Sequence, residues 1–172
     1  MAGLLQRILG LGQPYVPVQR LPTDGWCRAD GIGRMNLVWP WFEVLDPQPL
    51  VDGYGRDVGV VPKLELRAPR SDNDAAVIVW VDTGGGFLVR SDWAPAVARL
   101  YPGARIEVNT PLALDRAVGR LTRLNDHKNT TWRVIVPRES ITVQFEASVP
   151  SGHADAYWAQ LESMLATWGW AE

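Results

Sequence analysis

The sequence contains few of the residues from which disulfide frameworks and metal centres are built. Its 172 residues include one cysteine, Cys27, and two histidines, His127 and His153. One thiol cannot form an intramolecular disulfide or a thiolate-rich zinc site, and two histidines leave little for a multi-histidine centre. Neither histidine lies in a recognisable acid-base or nucleophile pattern. We therefore predict no metal site, no cofactor and no catalytic set.

Charge of one sign and long apolar runs are missing as well. With 17 basic and 19 acidic residues the formal net charge is −2, so we expect no nucleic-acid partner. No stretch approaches the roughly 18 apolar residues of a membrane-spanning helix, and residues 1–12 lack the pattern of a signal peptide. We therefore expect a cytoplasmic protein whose 172 residues form one domain.

Residues 1–12 predict a short amphipathic helix, because their apolar side chains recur at helical spacing. We expect this helix either to pack on its own domain or to dock in a groove of a partner protein. With one basic residue, Arg7, attraction to a membrane surface is the weaker alternative. The candidate contact residues of this helix are Leu4, Leu5 and Ile8.

Tryptophan, in contrast, is abundant, with nine residues. The segment 13–58 is irregular because it is rich in proline and glycine, and it carries several aromatic rings. Such rings dominate interface hot spots but can equally form a small core, and the sequence leaves both possibilities open. The candidate partner-binding residues here are Trp26, Trp39, Trp41, Phe42 and Tyr54. Five further tryptophans are expected in the core: Trp80, Trp93, Trp132, Trp158 and Trp168.

Hydrophobic patterning predicts several strands. Residues 77–81 are apolar throughout, which indicates a central strand covered on both sides. Residues 63–68 and 141–147 alternate, which indicates strands with one face toward solvent. Residues 37–45 are predicted to be an edge or bulged strand, since Pro40 cannot donate to a ladder. The side chains expected in solvent are Lys63, Glu65, Arg67, Thr142, Gln144 and Glu146.

Two longer helices are also predicted, over residues 91–101 and 154–168, each with a periodic apolar stripe. Residues 105–109 form a strand with Ile106 and Val108 inward, whereas residues 110–124 fit a helix or a strand. The predicted fold class is α+β, with a mainly antiparallel central sheet covered by helices.

The C-terminal part carries a resemblance to a known family. The strand ITVQFEA (141–147) leads through Ser-Val-Pro (148–150) into the helix ADAYWAQLESMLATW (154–168). This arrangement resembles the PsbP/DcrB/LpqN-like family, over roughly residues 60–170. The resemblance implies an α/β/α sandwich and a binding, adaptor or chaperone role without enzymatic activity, and it supplies no common site residues.

One short motif could carry catalysis. Val81-Asp82-Thr83-Gly84 follows an apolar strand, as the Asp-Thr-Gly of aspartic proteases does, and would require a homodimer in which two copies of Asp82 share a proton. Ala117-Val118-Gly119-Arg120 resembles the later hydrophobic-hydrophobic-Gly element of retroviral-type proteases. Against a protease, only 37 residues separate Asp82 from Gly119, and a helix is predicted where flap strands would be needed. We expect Asp82 to end a buried strand and to support the glycine turn.

Three functions are compatible with these features. The first is a non-enzymatic protein-binding module, such as an adaptor, a chaperone or an immunity-type partner in a larger assembly. The second is a binding protein for a small apolar or lipid-like ligand, held against an indole-rich wall between sheet and helices. The third and most remote is the dimeric Asp-Thr-Gly hydrolase. The wall of the second hypothesis consists of Trp39, Trp41, Trp80 and Trp132.

Overall fold

Most of the described chain is β-structure. The structure is a computed structural model and describes residues 19–38, 41–48, 59–68, 75–83 and 103–172. A 3-10 helix (Ser151–His153) leads into the helix α1 (Ala154–Ala166). The strands are β1 (Gln19–Arg20), β2 (Trp26–Ala29), β3 (Gly33–Asn36), β4 (Phe42–Val44), β5 (Val60–Arg67), β6 (Ala76–Asp82), β7 (Arg105–Leu114), β8 (Ala117–Asn125), β9 (Asn129–Pro137), β10 (Thr142–Pro150) and β11 (Gly169–Trp170).

Eight of these strands form one large sheet in the order β1–β4–β5–β6–β10–β9–β8–β7. All its neighbouring pairs are antiparallel, so the predicted antiparallel sheet is confirmed. β6 lies between β5 and β10, and all seven of its residues are buried. The prediction of a central strand at residues 77–81 is therefore also confirmed.

One face of the large sheet is covered by α1 and by a second, small sheet of order β11–β3–β2. Val79 and Phe145 of the large sheet share one core with Leu161 of α1 and Met35 of β3. Apolar side chains from the large sheet, the small sheet and α1 therefore bury one another, and this burial is the main stabilising contribution to the fold. The α1 prediction is confirmed over Ala154–Ala166.

Residues 110–124, which fit a helix or a strand by sequence, form most of the β7–β8 hairpin. Leu114 and Leu121 are buried, whereas Val118 is 65% exposed. A Cβ atom on Gly119 would lie 2.8 Å from Cγ2 of Val136 on β9. Glycine at this position therefore permits a close approach of two neighbouring strands, as glycine in a strand often does.

The solvent-exposed faces predicted for β5 and β10 are wrong. Glu65, Gln144 and Glu146 are each no more than 8% exposed, and Thr142 is buried as well. The error has a physical cause: polar side chains of the same strand and of neighbouring strands hydrogen-bond to one another in place of water. Gln144 accepts a 2.7 Å hydrogen bond from Arg133, whose Nε also lies 3.2 Å from the Glu146 carboxylate.

Two further strand predictions need correction. Among the described residues of 37–45, Phe42–Val44 form a strand, and this strand lies inside the sheet because β1 pairs along its outer side. Ile106 was predicted inward but is 41% exposed. It lies on the terminal strand β7, next to a register shift between Ile106 and Val108 that alters the alternation.

The predicted covering of the sheet by helices is met only in part. Within the described ranges one helix, α1, packs on the sheet, and strands dominate the fold. The helices predicted at residues 1–12 and 91–101 lie outside those ranges. The part of the chain that the structure describes contains no helix of the length and apolar character needed to cross a membrane.

Candidate binding surface

The small sheet presents a charged and aromatic outer face. Cys27 and Ala29 of β2 and Met35 of β3 are buried in the core, so the residues that alternate with them point outward. Three of these outward residues are exposed, and the Trp26 ring is half-buried. We call this set the tryptophan–arginine face; it consists of Trp26, Arg28, Arg34 and Asn36.

The centre of this face is a contact between an arginine and an indole. The guanidinium carbon of Arg34 lies 4.8 Å from the centroid of the Trp26 ring, within the range of a cation–π interaction. Trp26 is opposite Asn36, and Arg34 is opposite Arg28, so Arg34 and Trp26 are diagonal neighbours on adjacent strands. The contact therefore follows directly from the register of β2 and β3.

Arg28 is held by Asp24, which precedes β2. Nη2 of Arg28 lies 2.6 Å from Oδ2 of Asp24, and the backbone N–H of Trp26 donates to Oδ1 at 3.1 Å. These hydrogen bonds, that from Arg28 first, lower the pKa of Asp24 to about 2. The same carboxylate raises the pKa of Arg28. Asp24 is therefore ionised at neutral pH, where it neutralises part of the charge of Arg28.

The small sheet is anchored to the rest of the molecule on its inner side. Trp168 packs edge-on against Phe145, with ring centroids 4.7 Å apart, and against Trp170 at 5.3 Å. The Trp170 indole N–H donates to the Leu114 carbonyl at 3.3 Å. Asn36 donates its backbone N–H to the Thr167 hydroxyl at 2.8 Å. These contacts fix the backbone that carries the tryptophan–arginine face.

The three predicted partner-binding residues that the structure describes do not lie on one surface. Trp26 is on the tryptophan–arginine face, while the half-buried Phe42 is opposite Arg67, on the side of the large sheet away from α1. Five of the predicted residues lie outside the described ranges, so their role stays a prediction: Leu4, Leu5, Ile8, Trp39 and Tyr54.

Trp41 belongs to the core and is not a contact residue. Its side chain is fully buried, its indole N–H donates to Oε1 of Gln160 at 2.8 Å, and its ring packs edge-on against Tyr157. For this residue the structure decides in favour of the small-core alternative, because α1 supplies both a polar partner and an aromatic neighbour. Of the tryptophans predicted inward, Trp80, Trp132 and Trp168 are buried, Trp158 is half-buried, and Trp93 lies outside the described residues.

Arg28 and Arg34 were missed in the sequence analysis. The sequence does contain a weak sign of strand alternation there, since each arginine lies next to an apolar residue, as in Cys27-Arg28 and Arg34-Met35. Four-residue strands are too short for their alternation to be distinguished from loop sequence. The pairing of β2 with β3, which brings the two arginines together, cannot be inferred from either segment alone.

Cys27 and Asp82, whose side chains could in principle act as a nucleophile and a general acid-base, are deeply buried. The Cys27 side chain is fully buried, and burial followed by the nearby Glu43 carboxylate raises its pKa to about 12. Asp82 ends β6, as predicted, and is 3% exposed. Among the described residues, no cluster of three or more histidine, cysteine or carboxylate side chains could hold a metal ion.

The interior between α1 and the large sheet is closely packed. A cavity of about 10 Å³ lies there, with Trp132, Phe145, Trp158 and Leu161 in its wall. This volume is about that needed for a single water molecule. An apolar or lipid-like ligand could enter here only if the core repacked, so this position offers no preformed ligand site.

Comparison with known proteins supports the fold. No protein-family model and no curated protein matches the sequence. Among solved structures, the solution structure of cyanobacterial PsbP (CyanoP) from Synechocystis sp. PCC 6803 matches with a TM-score of 0.50 and 14% sequence identity. The match covers 94% of this chain and 97% of that chain. The chain therefore has a PsbP-like fold, and the likeness extends beyond the residues 60–170 on which the resemblance in sequence rested.

Proposed function

We propose that this protein is a non-enzymatic binding module that docks another protein through the tryptophan–arginine face. The observation that carries the proposal is the position of the exposed Arg34 over the half-buried Trp26 ring, with the guanidinium carbon 4.8 Å from the ring centroid. Tryptophan and arginine are the residues most enriched in the energetic centres of protein interfaces. Here both lie on a short sheet whose inner side is fixed in the core.

The rigidity of the face supports a docking role. Residues that are already ordered lose little conformational entropy when a partner binds, so more of the interaction energy appears as affinity. Stacking restrains Arg34, and Asp24 restrains Arg28 through two nitrogen contacts, at 2.6 and 3.5 Å. The face is therefore preorganised in a way that long, freely rotating surface side chains are not.

Burial of the candidate catalytic groups favours binding over catalysis. Cys27 is protonated at neutral pH because its pKa is about 12, so it is not a nucleophile. Asp82 is 3% exposed at the end of β6, whereas the Asp-Thr-Gly mechanism needs a carboxylate that reaches substrate.

We further propose a protein rather than a nucleic acid as partner, and the cytoplasm as the compartment.

Site-specific photo-crosslinking in the native host tests the proposal. A benzoylphenylalanine at Asn36 places the crosslinker on the tryptophan–arginine face, and the same residue at the exposed Glu162 of α1 is the matched control. We expect one protein to be captured from position 36 and not from position 162. The purified partner should then bind the unmodified protein and lose at least about tenfold in affinity to Trp26→Ala.

Two results would overturn this proposal. One is an identical set of captured proteins from positions 36 and 162, since the face would then have no preferred partner. The other is a captured partner that binds Trp26→Ala as tightly as the unmodified protein. Glu162→Ala serves as the control for the affinity measurement.

A further inference from the structure

We propose that the tryptophan–arginine face recognises an acidic peptide segment, with a carboxylate on Arg34 and an adjacent apolar side chain on the Trp26 ring. This inference deepens the proposed function and rests on it for the location of the site. It adds the chemistry of the partner, which follows from the charge, the stacking geometry and the open space around Arg34.

The charge of the face is opposite to that of the whole chain. The protein carries a formal net charge of −2, whereas this face carries two arginines with one carboxylate, Asp24, in contact with Arg28. Arg34 takes part in none of the ion pairs of the described residues. A ligand carboxylate would therefore supply the counter-charge that the described residues do not place there.

Stacking leaves the binding edge of Arg34 available. The guanidinium carbon of Arg34 lies over the Trp26 ring, and the five N–H groups of a guanidinium lie in its plane and point outward along its edges. Two N–H groups on one edge can donate to both oxygens of one carboxylate in a bidentate pair, the geometry that makes arginine selective for carboxylates and phosphates. Trp26 therefore orients Arg34 without occupying its hydrogen-bond donors.

Open space lies beside Arg34 on the same face. Gly169 of β11 is directly opposite Arg34 of β3, so a side chain at position 169 would lie on the outer face. Among the described residues, apart from the two chain neighbours of Gly169, no heavy atom lies within 4 Å of the position that a Cβ atom would take on this residue. The backbone of a peptide can approach Arg34 from this side, with Asn36 close to Trp26 as a further polar group.

A peptide fits this face better than a nucleic acid. Nucleic-acid binding depends on several phosphate contacts made by basic side chains. Here one of the two arginines is already paired with Asp24, at 2.6 Å. One available guanidinium beside one aromatic ring matches a single carboxylate followed by an apolar side chain.

Nuclear magnetic resonance with defined peptides tests the inference. The probe is the acetylated, amidated hexapeptide Glu-Leu-Glu-Leu-Glu-Leu, and the control is Gln-Leu-Gln-Leu-Gln-Leu. We expect the glutamate peptide to shift the Nε–H signal of Arg34 and the indole N–H signal of Trp26, with much smaller shifts from the glutamine peptide. The shifts should weaken when salt is raised from about 0.05 to about 0.5 M, because the screening length shortens.

Four variants locate the interaction. Arg34→Gln should weaken glutamate-peptide binding at least about tenfold, since a charge-assisted bidentate pair is lost. Gly169→Val fills the open space beside Arg34 and should weaken binding while the thermal midpoint stays unchanged. Asp24→Asn releases Arg28 and should strengthen binding. Arg116→Gln removes an arginine whose side chain is 72% exposed, outside the tryptophan–arginine face, and should leave binding unchanged.

The inference and the proposed function fail separately. Equal shifts from the two peptides, no shift up to about 10 mM peptide, or stronger shifts from a ten-nucleotide poly-dT would each overturn the acidic-peptide inference. If the crosslinked partner binds Arg34→Gln as tightly as the unmodified protein, the inference fails while the proposed function stands. If peptides bind but positions 36 and 162 capture the same proteins, the proposed function fails instead.

Discussion

Asp24 shows at the level of one residue how the tryptophan–arginine face is held together. Its pKa of about 2 compares with 3.8 for an unperturbed side chain, chiefly because of the hydrogen bond from Arg28. A carboxyl group with a lowered pKa in the folded state stabilises that state at pH values above its unfolded pKa. This stabilisation is lost as the pH falls from about 4 toward about 2.

The titration of Asp24 can be measured directly. We expect Arg28→Gln to raise the pKa of Asp24 toward 3.8, because the first cause of the shift is removed. Carbon-13 chemical shifts of the side-chain carboxyl group, followed between pH 1.5 and 6, report this value. Arg116→Gln is the control and should leave the Asp24 titration unchanged. An Asp24 midpoint that is the same in Arg28→Gln would contradict the contact in the structure.

Cys27 and Arg28 are consecutive residues of β2 whose side chains point to opposite faces of the small sheet. Arg28 is exposed, yet Cys27 is fully buried, and its pKa of about 12 leaves about one thiolate in ten thousand at pH 8. We expect Ellman's reagent to label folded Cys27 at least about a hundredfold more slowly than the unfolded protein in urea. A cysteine placed at the exposed position 36, in a Cys27→Ala protein, should label rapidly. Fast labelling of folded Cys27 would show that β2 does not pack as described.

At the level of the strands, the sequence allowed their positions to be predicted but not the environment of their polar faces. Alternation located β5 and β10 because period-two patterning reports side-chain direction. It could not show that Glu146 lies opposite Arg133 of β9, since the two residues are 13 positions apart and meet only through strand register. Polar side chains in an alternating strand were therefore assigned to solvent although they are buried.

The buried pair between β9 and β10 gives a quantitative prediction. Arg133 and Glu146 are 8% and 10% exposed in their side chains and lie 3.2 Å apart. Glu146→Met should cost about 3 kcal/mol of unfolding free energy, because it leaves a buried charge with less compensation. The double variant Arg133→Met, Glu146→Met should recover most of that loss, because both charges are removed together. Urea unfolding of the two single variants and the double variant measures the coupling.

A strictly additive result would argue against this pair. In that case the changes in unfolding free energy caused by Arg133→Met and by Glu146→Met alone would sum to the change in the double variant. Such additivity is expected only for residues that do not interact. Lys63→Met on β5 is a suitable control, since the Lys63 side chain is only half-buried and lies in a register shift. We expect it to be close to neutral in stability and additive with Glu146→Met.

In the β7–β8 hairpin, hydrophobic patterning could not distinguish a helix from a strand. Leu114, Val118 and Leu121 recur at helical spacing, yet the second of them is 65% exposed and the other two are buried. The decisive feature is Gly119, whose missing side chain lets β8 approach Val134 and Val136 of β9. This close approach is a tertiary contact, so the local sequence could not distinguish between the two structures.

At the scale of the whole molecule, the small sheet joins two distant parts of the chain. Its strands β2 and β3 precede β4, whereas β11 follows α1. A Cβ atom on Gly33 would lie 2.5 Å from the Gly169 carbonyl oxygen and 2.5 Å from the Trp168 ring. Gly33→Ala should therefore displace β11 from β3 and lower the unfolding free energy by about 1–3 kcal/mol. Amide hydrogen exchange should show the loss of protection at Trp170 and Ala171, whose N–H groups are hydrogen-bonded in the structure.

Gly169→Ala is the matched control for this prediction. The corresponding position on Gly169 has no heavy atom within 4 Å, so the added methyl group meets no obstacle. We expect unchanged amide protection at Trp170 and Ala171 in this variant. Equal loss of protection in both variants would show that β11 tolerates no substitution at all, and the close packing at Gly33 would not be the cause.

The composition of the small sheet also determines when the tryptophan–arginine face can exist during synthesis. β2 and β3 are complete once residue 36 has been made, but their third strand consists of Gly169–Trp170. A nascent chain halted before residue 168 therefore carries Trp26 and Arg34 without β11 and without the Trp168 and Trp170 rings that pack beside β3. At a translation rate of about 5–20 residues per second, this interval lasts roughly 7–27 seconds. The face thus reaches its final form only after the central sheet has been translated, which delays engagement of a partner until the fold can support it.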